Sequence, residues 1–330
     1  MALRQRRLGK TGRDVSEIGF GAWAIGASWG HVDDGDALGA LNQALDSGVT
    51  FIDTADVYGD GRSEKLIARV LRERGGERPF VATKAGRRLE KQEVAGYSKA
   101  NLTGWIERSL GNLQTDTLDL VQLHCPPTDL YYHPEVFGFL DDLKQAGKIR
   151  DYGVSVERVE EALKAMEYPG VVSIQIIYNI FRQRPASLLF EQATKNDVAI
   201  IARVPLASGL LSGKFRATTK FEETDHRQFN RNGEAFDVGE TFSGVPYDTG
   251  LAAVERIRPL VGGDTTMARF ALRWILMSEA VSVAIPGARN AEQARANAEA
   301  AALPPLPDEI MAELVAIYDQ DIRPHVHQRW

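Results

Sequence analysis

The feature that most constrains this chain is an alternation. Short β-branched runs are separated by longer stretches with helical spacing, over nearly the whole length. The runs are Glu17–Gly21, Thr50–Ile52, Phe80–Thr83, Leu118–Leu123, Ile149–Val154, Val172–Gln175, Ala199–Arg203 and Ser282–Ile285. Most are continuously apolar, as expected of strands buried on both faces of a parallel sheet. The stretches between them carry start and stop signals. Asp33 or Asp34 caps a helix with Ala37, Leu38, Leu41 and Leu45 on one face, and Gly48 ends it. Ser63 is the expected cap of the next, with Leu66, Ile67, Val70 and Leu71 inward. Leu102, Trp105, Ile106, Leu110 and Leu113 stripe a third. Pro134 suits a first helical turn, and Asp264 or Thr265 opens a later helix.

Eight such units close naturally into a parallel (β/α)8 TIM barrel, an α/β fold of about 250 residues before insertions. The 330 residues therefore read as one domain, 1–330. Two regions fall outside the repeat. Met1–Ser16, with Gly9 to Gly12 between two short runs, reads as a small β-hairpin. Thr218–Thr249, after the seventh strand, is a long polar, Gly-rich loop, and loops of that length in compact domains are usually functional or mobile.

Composition excludes several classes of function. Hydrophobic residues at 44% and charged residues at 25% rule out disorder and coiled coil. A net charge of −6 argues against nucleic acid as a partner. No apolar run reaches the ~20 residues that cross a bilayer. The basic first ten residues lead into no apolar signal core. The single cysteine, Cys125, allows no intrachain disulfide. A cytoplasmic protein is the expectation. No metal is expected either, because the six histidines show no ligand spacing. Cys125 should be buried and inert, facing away from its neighbour His124. Oligomeric state is left open.

Gly19-Phe-Gly21-Ala-Trp-Ala24 fits the loose dinucleotide pattern. No helix follows at once, and the strand-end acid Asp53 lies 29 residues beyond Ala24 rather than about 20. Small residues turning the chain at a barrel strand is the better reading. The chemistry lies elsewhere. Asp53 ends the second strand, Lys84 the third and His124 the fourth, with Tyr58 in the loop after the second. Each alone has an ordinary structural reading, as a turn, a solvated charge or a packed ring. Together, on consecutive strand ends at the face where barrel enzymes keep their active sites, they make a phenol with tuners. An ammonium nearby lowers a phenol's pKa, and a carboxylate balances the ammonium. His124 can orient a carbonyl oxygen.

These residues resemble the aldo-keto reductase family, a barrel that binds NADP(H) without a Rossmann fold. The resemblance spans essentially the whole chain. It rests on Arg7-Leu-Gly-Lys-Thr-Gly12, Gly19-Phe-Gly-Ala-Trp23, Phe51-Ile-Asp-Thr-Ala-Asp-Val-Tyr-Gly59, Asp119-Leu-Val-Gln-Leu-His124, Gly147-Lys-Ile-Arg150, Gly153-Val-Ser155, Pro205-Leu-Ala-Ser-Gly-Leu-Leu-Ser-Gly-Lys214 and Ile285-Pro-Gly-Ala-Arg289. It looks most like the bacterial branch of general aldehyde and sugar-alcohol reductases. The family's tetrad falls on Asp53, Tyr58, Lys84 and His124. This implies hydride transfer to a carbonyl carbon while Tyr58, its pKa moved toward neutrality, protonates the oxygen.

The resemblance also implies cofactor positions. Ser155 and Gln175 would hold the nicotinamide carboxamide, with Gly21, Trp23 and Asp53 nearby. Pro205, Leu206, Ser208, Gly209, Leu211 and Lys214 would follow the pyrophosphate, with backbone N–H groups of Ser208, Gly209, Ser212 and Gly213 free for phosphate. Gly287, Arg289, Gln293 and Asn297 would meet the adenosine, and Arg289, Lys214 and Arg227 its 2′-phosphate. Arg203 departs from the pattern, because the family usually places an aromatic ring there against the nicotinamide. A fixed cation there would favour NADPH over NADP+. Trp23, Trp29, Tyr58, His124 and Tyr131 are expected to line the substrate pocket, and His31 and Asp33 would admit hydroxylated substrates such as glyceraldehyde. Two other readings stand beside the reductase: an NADPH-binding regulatory subunit with little turnover, and a barrel lyase or isomerase using Lys84 as a Schiff base.

Overall fold

The β-branched runs become the strands of one sheet. An N-terminal hairpin, β1 (Gln5–Arg7) and β2 (Asp14–Ser16), precedes β3 (Phe20–Gly21), β4 (Phe51–Asp53), β5 (Phe80–Ala85), β6 (Leu118–His124), β7 (Ile149–Ser155), β8 (Val171–Ile177), β9 (Ala199–Arg203) and β10 (Val281–Ala284). These come from a computed structural model that describes residues 3–26, 29–30 and 32–330. From β3 to β10 the strands pair in chain order, all parallel. The two ends then meet. The Gly19 N–H donates to Ala284 O at 2.8 Å, the Gly21 N–H to Pro286 O at 3.0 Å, and the Ala284 N–H to Glu17 O at 2.9 Å. The sheet is thereby closed into a (β/α)8 barrel. A Cβ on Gly21 would stand 2.6 Å from Ile285 O. The glycine pattern that imitates a dinucleotide fingerprint is therefore the seam of the barrel.

Two apolar clusters explain why the strands read as unbroken hydrophobic runs. One fills the bore: Leu8 and Val15 from the hairpin with Phe51, Ala82, Leu120, Val172, Ala199, Ile201, Val283 and Ile285. The other lies between the barrel and its helices and includes Ile52, Val81, Val121, Val154, Ile174 and Ile200. Side chains alternate along a strand. Two steps up from the bore layer stand Asp53 after Phe51, Lys84 after Ala82, Gln122 after Leu120 and Arg203 after Ile201. The site is thus the next layer of the barrel interior, at the C-terminal ends of the strands.

The hairpin closes the opposite end. Leu8 is fully buried in the bore cluster. Gly9 (φ +49°) lies so close to the barrel floor that a Cβ would come within 2.6 Å of Ala199 N. The Lys10 N–H donates to Asp197 O at 2.8 Å. Buried Arg6 pairs with Glu17 at 2.8 Å and donates to the carbonyls of Leu276, Ser278 and Val281, tying the hairpin beside the seam.

Several helix boundaries follow their sequence signals. Asp33 Oδ1 accepts from the Asp36 N–H at the start of helix Asp34–Asp46, and Pro134 opens helix Pro134–Gln145. Others differ. Ser63 is not a cap. Helix Arg62–Arg74 starts after Gly61, and the buried Ser63 Oγ lies 2.7 Å from Thr54 Oγ1 and 3.2 Å from Ala22 O, fastening the helix to the site loop. Thr266, not Asp264 or Thr265, caps helix Met267–Leu276. Thr218–Thr249 is built of short turns capped by Asp225 and Asp237 and folds back across the barrel mouth. His31 lies outside the described residues. Among those described, no helix is long and apolar enough to cross a membrane.

Leu8 bridges hairpin and barrel, so Leu8→Ala should lower unfolding stability by about 2–5 kcal/mol. A denaturant titration reads this as an earlier midpoint.

Candidate active site

The loop after β4 turns tightly back over the barrel, so Tyr58 returns to the strand end it left. Its hydroxyl accepts a hydrogen bond from Lys84 Nζ at 3.2 Å. Lys84, 1% exposed, also donates to Asp53 Oδ2 at 2.5 Å and to Thr54 O at 2.9 Å. The three ammonium hydrogens thus have three acceptors. Asp53 Oδ1 accepts from Gln175 Nε2 at 2.7 Å and from Gln122 Nε2 at 3.3 Å. The His124 ring stands edge-on to Tyr58, with centroids 5.9 Å apart. The four groups expected from consecutive strand ends share one chamber, and Gln122 joins them. Gln122 lies on β6 two residues before His124, so the alternation that places His124 in the bore places it there too.

Burial raises the Tyr58 pKa and outweighs the pull of Lys84, so the phenol sits above its usual value. The direction is therefore opposite to the expected shift toward neutrality, because the protein around the ring withdraws water as it brings the ammonium. Burial would lower the Lys84 pKa, but Asp53 and Tyr58 together hold it above the normal lysine value. Burial, then Arg87, Lys84 and Arg203, push His124 well below the usual imidazole range. It is a neutral ring, and its Nδ1 is buried without a partner.

A second charged cluster adjoins the tetrad. Arg203 is buried, and its guanidinium donates to Glu157 at 2.8 Å and to Val156 O at 3.0 Å, with Glu240 3.8 Å away. Arg87 reaches Glu240 at 2.5 Å and Glu157 at 3.5 Å. Burial and the adjacent Glu240 raise Glu157, up to about 8. Burial would raise Glu240 as well, but Arg87 and Arg203 hold it down at about 2. Glu240 is thus the carboxylate that carries the charge here, set against the two guanidiniums of Arg87 and Arg203. Arg87 and Glu157 follow β5 and β7 just as Tyr58 follows β4, a signal available in the sequence. Glu240, deep in an irregular loop, carries none.

Cys125 is not turned away from the site as expected. Its φ of +47° breaks the strand alternation, and Sγ lies 3.5 Å from Ser155 Oγ and 3.6 Å from Arg203. Burial pushes its thiol up to about 12, so it stays protonated. The ligand atoms of Cys125, Glu157 and Glu240 lie within 4.8 Å of one another. The two guanidiniums already supply the positive charge that a cation would bring there.

Aromatic rings form the rim. Trp23 stacks on Tyr58 (6.1 Å, 20°) and meets Trp29 edge-on at 5.4 Å. From the long loop, His226 packs against Trp23 at 4.7 Å and Trp29 at 4.5 Å, and Phe236 stands 6.1 Å from Trp23. Tyr131 is placed otherwise than expected. It has no exposed surface and belongs to the core behind the barrel, so it lines no opening.

The profile described as "Aldo/keto reductase family" matches residues 17–319. The chain is 30% identical over 323 residues to the Uncharacterized oxidoreductase YqkF of Bacillus subtilis, covering 97% of this chain and 98% of that one. The chain belongs to the aldo/keto reductase family. It is 27% identical over 306 residues to aldo-keto reductase yakc [NADP(+)] of Schizosaccharomyces pombe, covering 90% of this chain and 86% of that one. Among solved structures, the glycerol dehydrogenase AKR11B4 from Gluconobacter oxydans superposes with a TM-score of 0.76 at 29% identity, covering 99% of this chain and 97% of that one. As a member of this family the protein is an oxidoreductase whose cofactor is NADP(H).

The chain's own groups fit that cofactor at several points. Ser155 and Gln175 pair across β7 and β8. The Ser155 hydroxyl donates to Gln175 Oε1 at 3.4 Å. Gln175 retains an N–H and Ser155 its acceptor lone pairs, the complement of a carboxamide. Arg203 Nε, buried nearby, has no partner. Gly287 is exposed, and its carbonyl accepts from Asn297 Nδ2 at 3.0 Å. Gln293 Oε1 accepts from the Arg289 N–H at 2.9 Å. Lys214 is exposed, Leu206 is half-buried, and Pro205 and Leu211 are buried.

Other expected cofactor groups are differently engaged in this aldo/keto reductase. The N–H groups of Gly209 and Gly213 donate to Leu206 O and Leu210 O and are not free for phosphate. The Ser208 hydroxyl donates to Glu240 O at 3.0 Å. Arg227 is clasped by Asp225 and lies over Trp29 and Phe221 at 4.9 and 4.6 Å, contacts that help hold the loop. The Gly21 N–H belongs to the seam.

His124 supplies a pH test. The native state refuses a proton that the unfolded chain accepts below about pH 6.5. The stability it confers is full above that pH and lost as pH falls. His124→Gln should therefore flatten the drop in urea midpoint between pH 7.5 and 5.5.

Proposed function

We propose that this protein uses NADPH to reduce small aldehydes and ketones, including hydroxylated ones such as glyceraldehyde, and runs the reverse oxidation of the alcohols. The observation that carries the reading is the Tyr58 hydroxyl 3.2 Å from an Lys84 ammonium ion-paired to Asp53 inside the barrel, beside a neutral His124.

NADPH, when bound, supplies the hydride that adds to the carbonyl carbon. The residues proposed to hold it are Ser155 and Gln175 at the nicotinamide, Leu206 to Lys214 along the pyrophosphate, and Arg289, Gln293 and Asn297 at the adenosine. The neutral His124 ring orients the carbonyl oxygen beside Tyr58. As the carbonyl π pair moves onto that oxygen, Tyr58 gives up its proton to it. The phenolate left behind sits against the Lys84 ammonium, and Asp53 keeps that ammonium charged and in place. In reverse, Tyr58 takes the proton back. A phenol whose pKa is raised by burial is well suited to the acid role, because it stays protonated throughout the neutral range.

The Trp23 and Trp29 walls suit small carbonyl compounds, and the glycerol dehydrogenase relative supports a hydroxylated one. The Schiff-base reading loses ground, since Lys84 is held as an ammonium with all three hydrogens engaged. The single cysteine accords with a cytoplasmic setting.

Oxidation of NADPH against a panel of aldehydes, ketones and sugars tests the reading. Tyr58→Phe should cut kcat by about 10²–10⁴-fold while leaving NADPH binding intact. Tight NADPH binding without turnover by wild type would favour the regulatory-subunit reading instead. In wild type, reduction should hold steady up to about pH 10, because activity falls only as Tyr58 loses its proton and that pKa lies above the usual value. A fall centred below pH 9 and absent in Tyr58→Phe would contradict this.

A further inference from the structure

The segment Asp237–Gly244 of the long loop is held from two sides. On its inner side, the Glu240 carboxylate meets Arg87 and Arg203, while the Glu240 carbonyl and the Phe242 N–H both bond the Ser208 hydroxyl, at 3.0 and 3.1 Å. On its outer side lies Trp330, only 3% exposed. The Trp330 indole N–H donates to Asp237 Oδ1 at 2.9 Å, the same oxygen that caps the turn at the Gly239 N–H at 2.7 Å. The ring rests on two glycines. A Cβ on Gly239 would stand 2.9 Å from the indole, and one on Gly244 2.5 Å. Beyond the ring, the buried Arg182 guanidinium stacks at 4.3 Å and donates to Ser243 O at 3.2 Å. Arg184 donates to Trp330 O at 2.6 Å.

A buried guanidinium with no carboxylate in direct ion-pair contact leans on the π-face and carbonyls that surround it as well as on the nearby charges of Glu157 and Asp237. No ion pair is found for Arg182 among the described residues, and it packs on the Trp330 ring and Ser243 O. Trp330 therefore packs on Arg182 and bonds Asp237 at once. Both contacts fix the backbone that carries Glu240.

We propose that Trp330 is a positioning residue for cofactor and substrate, holding Asp237–Gly244 in the pose that presents Glu240 to Arg87 and Arg203 and bonds Ser208 of the cofactor segment. The inference rests on the NADPH reading above. It adds that a residue with no contact to the tetrad sets the affinity of the mouth.

The test uses the full chain with Trp330→Ala, Trp330→Phe and Gly244→Ala. NADPH affinity is read from the fluorescence of the reduced nicotinamide, KM and kcat from glyceraldehyde reduction, and loop order from protease nicking within residues 218–249. Losing the indole bond and the ring under Arg182 in Trp330→Ala should raise the NADPH Kd about tenfold. KM should rise with it, kcat should change less, and nicking should be faster. Trp330→Phe keeps the ring on its glycine shelf and should restore most of the affinity. Gly244→Ala keeps the indole but pushes it off its seat, and should behave like Trp330→Ala. Variants that melt earlier yet bind NADPH and substrate like wild type would overturn the proposal and leave Trp330 a packing residue. If wild type itself binds no NADPH, the cofactor reading fails. The nicking rates then decide, and unchanged cleavage in Trp330→Ala and Gly244→Ala would overturn the positioning role.

Discussion

The site depends on one buried ion pair. An ammonium inside a barrel bore has lost its water, and that loss is tolerable only with a close anion and full hydrogen bonding. Asp53 provides the anion 2.5 Å away, and Thr54 O and Tyr58 take the remaining hydrogens. Asp53 in turn must be satisfied, which is what Gln122 and Gln175 do from two further strands. A single charge thus fixes the polar layer of four strands, β4, β5, β6 and β8, and places the phenol. Removing Asp53 alone would strand the lysine, and removing Lys84 alone would strand the aspartate.

The same logic of paired burial governs the neighbouring cluster. Arg203 stands where relatives commonly offer a ring, and read alone it is a bare cation. In the folded chain Glu157, two residues beyond β7, and Glu240, from the long loop, surround it. The guanidinium has become the hub of a network that also takes in Arg87. Its role is to join β5, β7 and β9 to the loop across the mouth.

How much of this was legible depends on range. The strands were readable because burial on both faces demands continuous apolar runs, and the tetrad because three consecutive strand ends carry chemistry. Gln122 follows the same alternation, but in the sequence it is only one polar residue in an apolar run. Ser63 has the side chain of a cap, yet Thr54 and Ala22 claim its hydroxyl, a tertiary preference invisible to local spacing. Tyr131 looks like a pocket aromatic beside exposed Tyr132, but the chain turns it into the core. Glu240, His226 and Phe236 were illegible because an irregular loop has no period to say which side chain faces inward. The direction of the Tyr58 pKa is hidden from the sequence for a related reason. Sequence shows the ammonium that lowers it but not the depth of burial that raises it.

The hairpin beneath the barrel also closes the bore below Lys84, with a consequence for proton exchange. With Leu8 and Val15 corking one end of the bore, the hydrogens on Lys84 face no water from below, and Asp53 and Thr54 O bind two of them from the side. The third points at Tyr58. Isotope from heavy water would therefore enter the lysine through the phenol, making Tyr58 the gatepost for exchange at a buried amine.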